Sequence, residues 1–263
     1  MLPTSSTDTT LAHRPNGRAR PSGWLAYASA VRFDPLAGRL APWCFAAAAI
    51  LALAGLYVGF GVAPTDAQQG EVYRIIFIHV PAAWMSMFIY LLMAIYGGLA
   101  LWLGTRLSSM MASALAPTGA LFTAIALVTG ALWGQPTWGT WWVWDARLTS
   151  ELLLLFLYLG FMALEGAIDE PRRAERACAV LALVGSLNLP VIYFSVQWWN
   201  TLHQGASVSL TAAPTMARTM LAGMLLMALA CWLYTIAVAL VRVRLLLRER
   251  GLLPGGKRSE GAA

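Results

Sequence analysis

The chain has 263 residues, of which 59% are hydrophobic and only 11% charged. A soluble domain carries roughly a quarter charged residues, so an ordinary water-soluble enzyme or binding module is excluded and an integral membrane protein is indicated. The formal net charge of +6 comes from arginines clustered beside apolar blocks. That is how membrane topology is encoded, not a nucleic-acid footprint, and no nucleic-acid partner is expected.

Residues 1–41 are polar and rich in Arg, Pro and Ser, with no apolar core of the length a cleavable signal requires. They read as a disordered cytoplasmic tail. A helix needs about twenty apolar residues to cross a bilayer, and six blocks meet this standard: 43–63, 82–103, 113–133, 151–168, 177–196 and 217–241. The expected fold is therefore all-α and polytopic. A six-helix membrane domain spans 42–241, with short outward loops, interfacial helices and a basic cytoplasmic tail over 242–263. Pro190 falls inside the fifth block and predicts a kink there.

Lys and Arg are counted over the short flanks to fix orientation. Fifteen of the eighteen fall on the side of the two termini and of the connections at Arg106 and at Arg172, Arg173 and Arg176. Only Arg74, Arg147 and Arg218 fall on the other. Both termini are thus expected in the cytoplasm. The connections 64–81, 134–150 and 197–216 are expected to face outward, which in a Gram-negative cell means the periplasm.

The three outward segments carry the chemistry. In the first, Val72, Ile75, Ile76 and His79 share one helical face, predicting a short interfacial helix that presents His79. Pro81 then suits the first turn of the next span. The second reads Trp138-Gly139-Thr140-Trp141-Trp142-Val143-Trp144-Asp145-Ala146-Arg147-Leu148-Thr149, four indoles in twelve residues. Indoles supply flat apolar area with one N–H each, which suits a planar ligand. The bland alternative is an aromatic belt at the headgroup layer, which does not explain this density or the Trp-Asp-x-Arg ending. If the stretch is helical, Trp138, Trp141, Trp142, Asp145 and Thr149 share a face. If it is extended, Trp142 and Trp144 share a side. The third segment adds Trp198, Trp199 and His203.

Of the three histidines, His13 lies in the tail, while His79 and His203 flank the tryptophan stretch on the outward side. Two imidazoles at one face can supply both axial ligands of a haem iron. Zinc competes, but a structural zinc wants four ligands, and Cys44, Cys178 and Cys231 are scattered through the apolar blocks without a C-x-x-C. The alternative for each His is an interfacial side chain bonded to water. The outward arginines Arg74, Arg147 and Arg218 go against the orientation rule and suit carboxylates such as haem propionates. Local pairing of Arg74 with Glu71, or of Arg147 with Glu151, is the competing explanation. Asp145 would repel propionates, so it is read as bonding indole or backbone N–H groups and fixing the loop.

At these residues the chain resembles the haem-handling family of cytochrome c biogenesis, whose signature is the tryptophan-rich WWD domain, and within it the CcmC-like haem exporter C group. The resemblance covers residues 43–241 and rests on W-G-T-W-W-V-W-D-A-R-L-T with single histidines in Ile78-His79-Val80-Pro81 and Trp199-Asn200-Thr201-Leu202-His203. It implies that oxidised haem b is held at the outer face of the inner membrane. His79 and His203 would be axial ligands, with Trp138, Gly139, Trp141, Trp142, Trp144, Asp145, Arg147, Arg74, Arg218, Trp198 and Trp199 around the cargo. It implies delivery to the haem chaperone CcmE, in company with CcmD and the ABC-type pair CcmA and CcmB, which hold the ATPase. No G-x-x-x-x-G-K-[ST] loop occurs here, and no enzymatic activity is expected.

Two other functions compete. A transporter moving haem through its own core should carry polar groups near mid-membrane, where the spans are nearly free of charge. A cytochrome b-type redox enzyme would place ligating histidines inside the spans, where the sequence places none.

Overall fold

The computed structural model describes residues 29–203, 205, 208 and 213–253. The expected tail over 1–28 and the last ten residues lie outside this range. Among the described residues there are six helices or helix pairs long and apolar enough to cross a membrane, and no strand. This is the all-α polytopic architecture that the apolar blocks predict.

The first span is α1 (Ala30–Leu56), which continues into a π-helical turn at Tyr57–Val62. It begins well before the apolar block at 43. The early turns are polar in sequence, but Asp34 pairs with Arg244 at 2.9 Å, and Phe33 and Ala37 are buried in a cluster with Val243 and Leu247. Helix α7 (Arg218–Glu249), along which α1 packs, thus converts part of the expected tail into helix.

The second span opens as a 3₁₀ turn at Glu71–Ile75 and runs directly into α2 (Ile76–Leu103). The separate interfacial helix expected here is therefore the first turns of the span itself. Pro81 sits inside α2, where its missing N–H leaves the Phe77 carbonyl without its helical donor. Helix α3 (Arg106–Trp138) packs along α2 and extends past its apolar block at both ends.

Helix α4 (Ala146–Ala167) is the fourth span. The fifth is broken into α5 (Pro171–Gly185) and α6 (Asn188–Trp198). The break falls at Ser186–Leu187, four residues before Pro190. A proline ring clashes with the carbonyl four residues back and cannot donate to it, so the residue that enforces the break lies in the first turn of α6. The Leu189 N–H donates to the Ser186 carbonyl instead, at 3.1 Å.

The middle of the bundle is filled by Met85, Ile89, Tyr90, Met93, Leu154, Tyr158 and Phe161, each at most 1% exposed. The Tyr158 hydroxyl donates to the Ser86 carbonyl at 2.7 Å. Below this layer, Arg250 bonds Glu175 at 2.7 Å and Glu165 at 3.4 Å, tying α7 to α5 and α4 at the basic end. The three cysteines are free thiols. The opposite end gathers the segments around 63–70, 139–145 and 199–203, and the site lies there.

Candidate functional site

The tryptophan stretch is neither one helix nor one strand. Trp138 is the last residue of α3, and Gly139 closes it in the left-handed region at φ 77°, where only glycine sits without strain. Residues 140–145 have no regular helix. Trp142 and Trp144 share a side, edge to face at 5.4 Å, as the extended reading expects. Asp145 then caps α4, its Oδ1 accepting the Leu148 N–H at 2.8 Å. A side-chain acceptor satisfies one of the orphan N–H groups of a helix start, so Asp145 sets where the loop ends and α4 begins. Its Oδ2 and the Trp142 Nε1 are buried with no partner among the protein atoms. Buried polar groups are nearly always paired, so the motif holds one donor and one acceptor without a partner among the protein atoms, although neither residue lines the cleft described next.

Helices α2, α3 and α4 and His203 line one cleft. His79, Trp133, Trp138, Arg147, Glu151 and His203 line it, with Ala83, Ala126, Leu127, Gly130 and Leu148 completing an apolar wall. Three segments distant in sequence thus converge on one cavity.

The imidazoles of His79 and His203 stack in one cleft, with centroids 6.1 Å apart and planes 29° from parallel, so histidines from α2 and from the segment after α6 meet there. Among the described residues no cluster of three or more His, Cys, Asp or Glu could hold a metal by itself. A two-ligand site fits an iron whose other positions are filled by a macrocycle.

Each histidine is seated by specific neighbours. His79 Nδ1 lies 3.0 Å from the Thr129 hydroxyl, and its ring lies against bare backbone at Gly130. A Cβ there would meet His79 Cε1 at 3.2 Å, closer than ordinary van der Waals contact. Gly130→Ala should push the ring aside by a few tenths of an ångström. The expected result is several-fold faster haem loss with unchanged thermal unfolding, measured by transfer to an apo-globin scavenger. His203 is held through its backbone N–H, which donates to Thr201 Oγ1 at 3.0 Å. Its ring packs against Trp138 at 6.0 Å and Trp133 at 6.1 Å. Trp133 is fixed in turn by an indole N–H donated to Gln69 Oε1 at 2.9 Å.

Arg147 lies in the first turn of α4 and donates to the Ile192 carbonyl at 2.8 Å. No ion pair joins it to Glu151 among the described residues. Glu151, 6% exposed, instead accepts from the Ser86 hydroxyl at 2.6 Å.

The other expected site residues lie elsewhere. Arg74 pairs with Glu71, as the local-pair alternative expects, and donates to the Gly59 carbonyl at 2.5 Å, bracing the π-helical turn. Arg218 is exposed at the start of α7. Trp141 and Trp144 are exposed, as are Trp198 and Trp199, and none of the four lines the cleft. Trp198 stacks on Phe194 at 5.1 Å. Sequence reasoning missed Trp133, Thr129 and Gly130 and read Glu151 as a local partner of Arg147. The spacing of Ala126, Thr129, Gly130 and Trp133 marks one face of α3, a signal hidden inside an apolar block.

The sequence profile of the heme exporter protein C family matches residues 23–253. The chain belongs to that family. It is 50% identical over 218 residues to a heme exporter protein C of Bradyrhizobium diazoefficiens, covering 82% of each chain. It is 53% identical over 176 residues to that of Escherichia coli K12, covering 67% of this chain and 72% of the relative. To that of Haemophilus influenzae it is 43% identical over 233 residues, covering 88% and 95%. Family membership makes haem the planar group against which the cleft is to be judged. The paired imidazoles, the indole wall and the half-buried guanidinium of Arg147 suit the iron, the ring and the propionates of such a cargo.

Proposed function

We propose that the protein is a haem-binding platform for cytochrome c maturation, holding haem at the periplasmic face of the bacterial inner membrane and passing it to a periplasmic chaperone of the CcmE type. The observation that carries this reading is the facing pair His79 and His203, 6.1 Å apart in one cleft. Neutral imidazoles of His79 and His203 would ligate iron, Trp133 and Trp138 would offer the macrocycle an apolar wall, and Arg147 would answer a carboxylate. Oxidised haem b is the cargo that would use all three. CcmD and an ABC-type CcmA–CcmB pair would complete the assembly and supply ATP hydrolysis.

The packed middle of the bundle favours this reading over a transporter. Tyr90, Met93, Leu154, Tyr158 and Phe161 fill the space a passage would need, and Arg250 is paired with both Glu175 and Glu165.

Oriented proteoliposomes test the proposal. Haem added on the side of residues 139–145 should load the protein and transfer to soluble chaperone on that same side, with none reaching the lumen. Uptake from the opposite side with release on this one would replace the platform by the transporter.

A further inference from the structure

We infer that Thr129 is a positioning residue that fixes the tautomer of His79, so that Nδ1 carries the proton and Nε2 is left as the metal-ligating nitrogen. This rests on the proposed axial role of His79. The Thr129 hydroxyl has one proton. Its oxygen stands 2.6 Å from the Ile125 carbonyl and 3.3 Å from the Ala126 carbonyl. A carbonyl only accepts, so the hydroxyl proton is committed to α3. Turning it toward His79 would leave two oxygens 2.6 Å apart with no hydrogen between them. Toward Nδ1, at 3.0 Å, the hydroxyl is therefore an acceptor, and Nδ1 must be the donor.

Gly130 makes the contact reachable. Without a side chain there, the imidazole lies on the α3 backbone, with Cε1 over the glycine. The adjacent pair Thr129-Gly130 thus forms a seat that sets both the position and the protonation pattern of one ring. Partners of this kind orient a ligating histidine and raise its donor strength. The effect reaches the iron although Thr129 itself does not line the cleft.

The test uses full-length protein in lipid with Thr129→Val, which removes the hydroxyl, and Thr129→Ser, which keeps it. In haem-free protein, ¹⁵N-histidine solid-state NMR should show Nδ1–H at His79 in the wild type and in Thr129→Ser. Thr129→Val should show the Nε2–H tautomer or a mixture. With haem loaded, Thr129→Val should stay low-spin, release haem about 10- to 100-fold faster and have a higher reduction potential, while Thr129→Ser tracks the wild type. If His79→Ala loses the low-spin spectrum but Thr129→Val matches the wild type in tautomer and release, Thr129 has no such role. If His79→Ala leaves the spectrum unchanged, the axial assignment itself fails, which is a separate result.

Discussion

Replacing either His79 or His203 by alanine is expected to abolish the six-coordinate low-spin spectrum of the haem-loaded protein and to speed haem loss by at least two orders of magnitude, a metal bond being worth more than the tenfold or greater effect of an outer partner. The fold should survive both changes. His203 belongs to a connecting segment, and the His79 side chain is tied to α3 only by ring hydrogen bonds to the Thr129 hydroxyl and the Ala126 backbone. Added imidazole should diffuse into the space each alanine opens and restore the low-spin spectrum. Restoration in both variants would assign both rings to the iron. Restoration in only one would make the other a neighbour of the haem rather than its ligand. Two single variants with the wild-type spectrum would leave the facing rings without a functional role.

The second large effect is expected at Arg147. A guanidinium offers a rigid fork that matches a carboxylate and that lysine lacks, and Arg147 lines the cleft. Arg147→Lys should weaken haem retention by about 1.5–3 kcal/mol, the range for a hydrogen bond to a charged group. The same change removes the bond to the Ile192 carbonyl, which costs about 1 kcal/mol of stability. That part is separable because it lowers the unfolding temperature of haem-free protein as well. Glu151→Gln is the control. Glu151 is bonded to Ser86, and an amide oxygen can still accept that hydrogen bond, so its effect on retention should be small. The Arg147 effect should vanish with a haem whose propionates are esterified. Equal, small effects from the two variants with native haem would remove the propionate role.

The spans and their alternation were legible because the bilayer imposes a length and a composition that show in one sequence. What the sequence hid was tertiary. The polar start of α1 becomes helix because Asp34 meets Arg244 more than two hundred residues away. The break in the fifth span follows from Pro190 but lands at Ser186, since a proline disturbs the turn before it. The site followed the same division. His79, His203, Trp138 and Arg147 stood out as polar or aromatic groups at the ends of apolar blocks, and all four line one cleft. The density of tryptophan was a coarser guide. Trp141 and Trp144 are 58% and 77% exposed, whereas Trp133, outside the motif, is buried against His203. Thr129 and Gly130 carry no unusual chemistry of their own, and only the position of the His79 ring gives them a role.

As the proposed axial pair, His79 and His203 would hold one iron between two neutral imidazoles. Electron paramagnetic resonance of the wild-type protein loaded with ferric haem tests it most directly. Two imidazole planes 29° from parallel predict a low-spin rhombic spectrum, because near-parallel ligand planes lift the degeneracy of the iron orbitals they share. A high-spin signal, or a low-spin signal that persists when both His79 and His203 are replaced, would contradict the account.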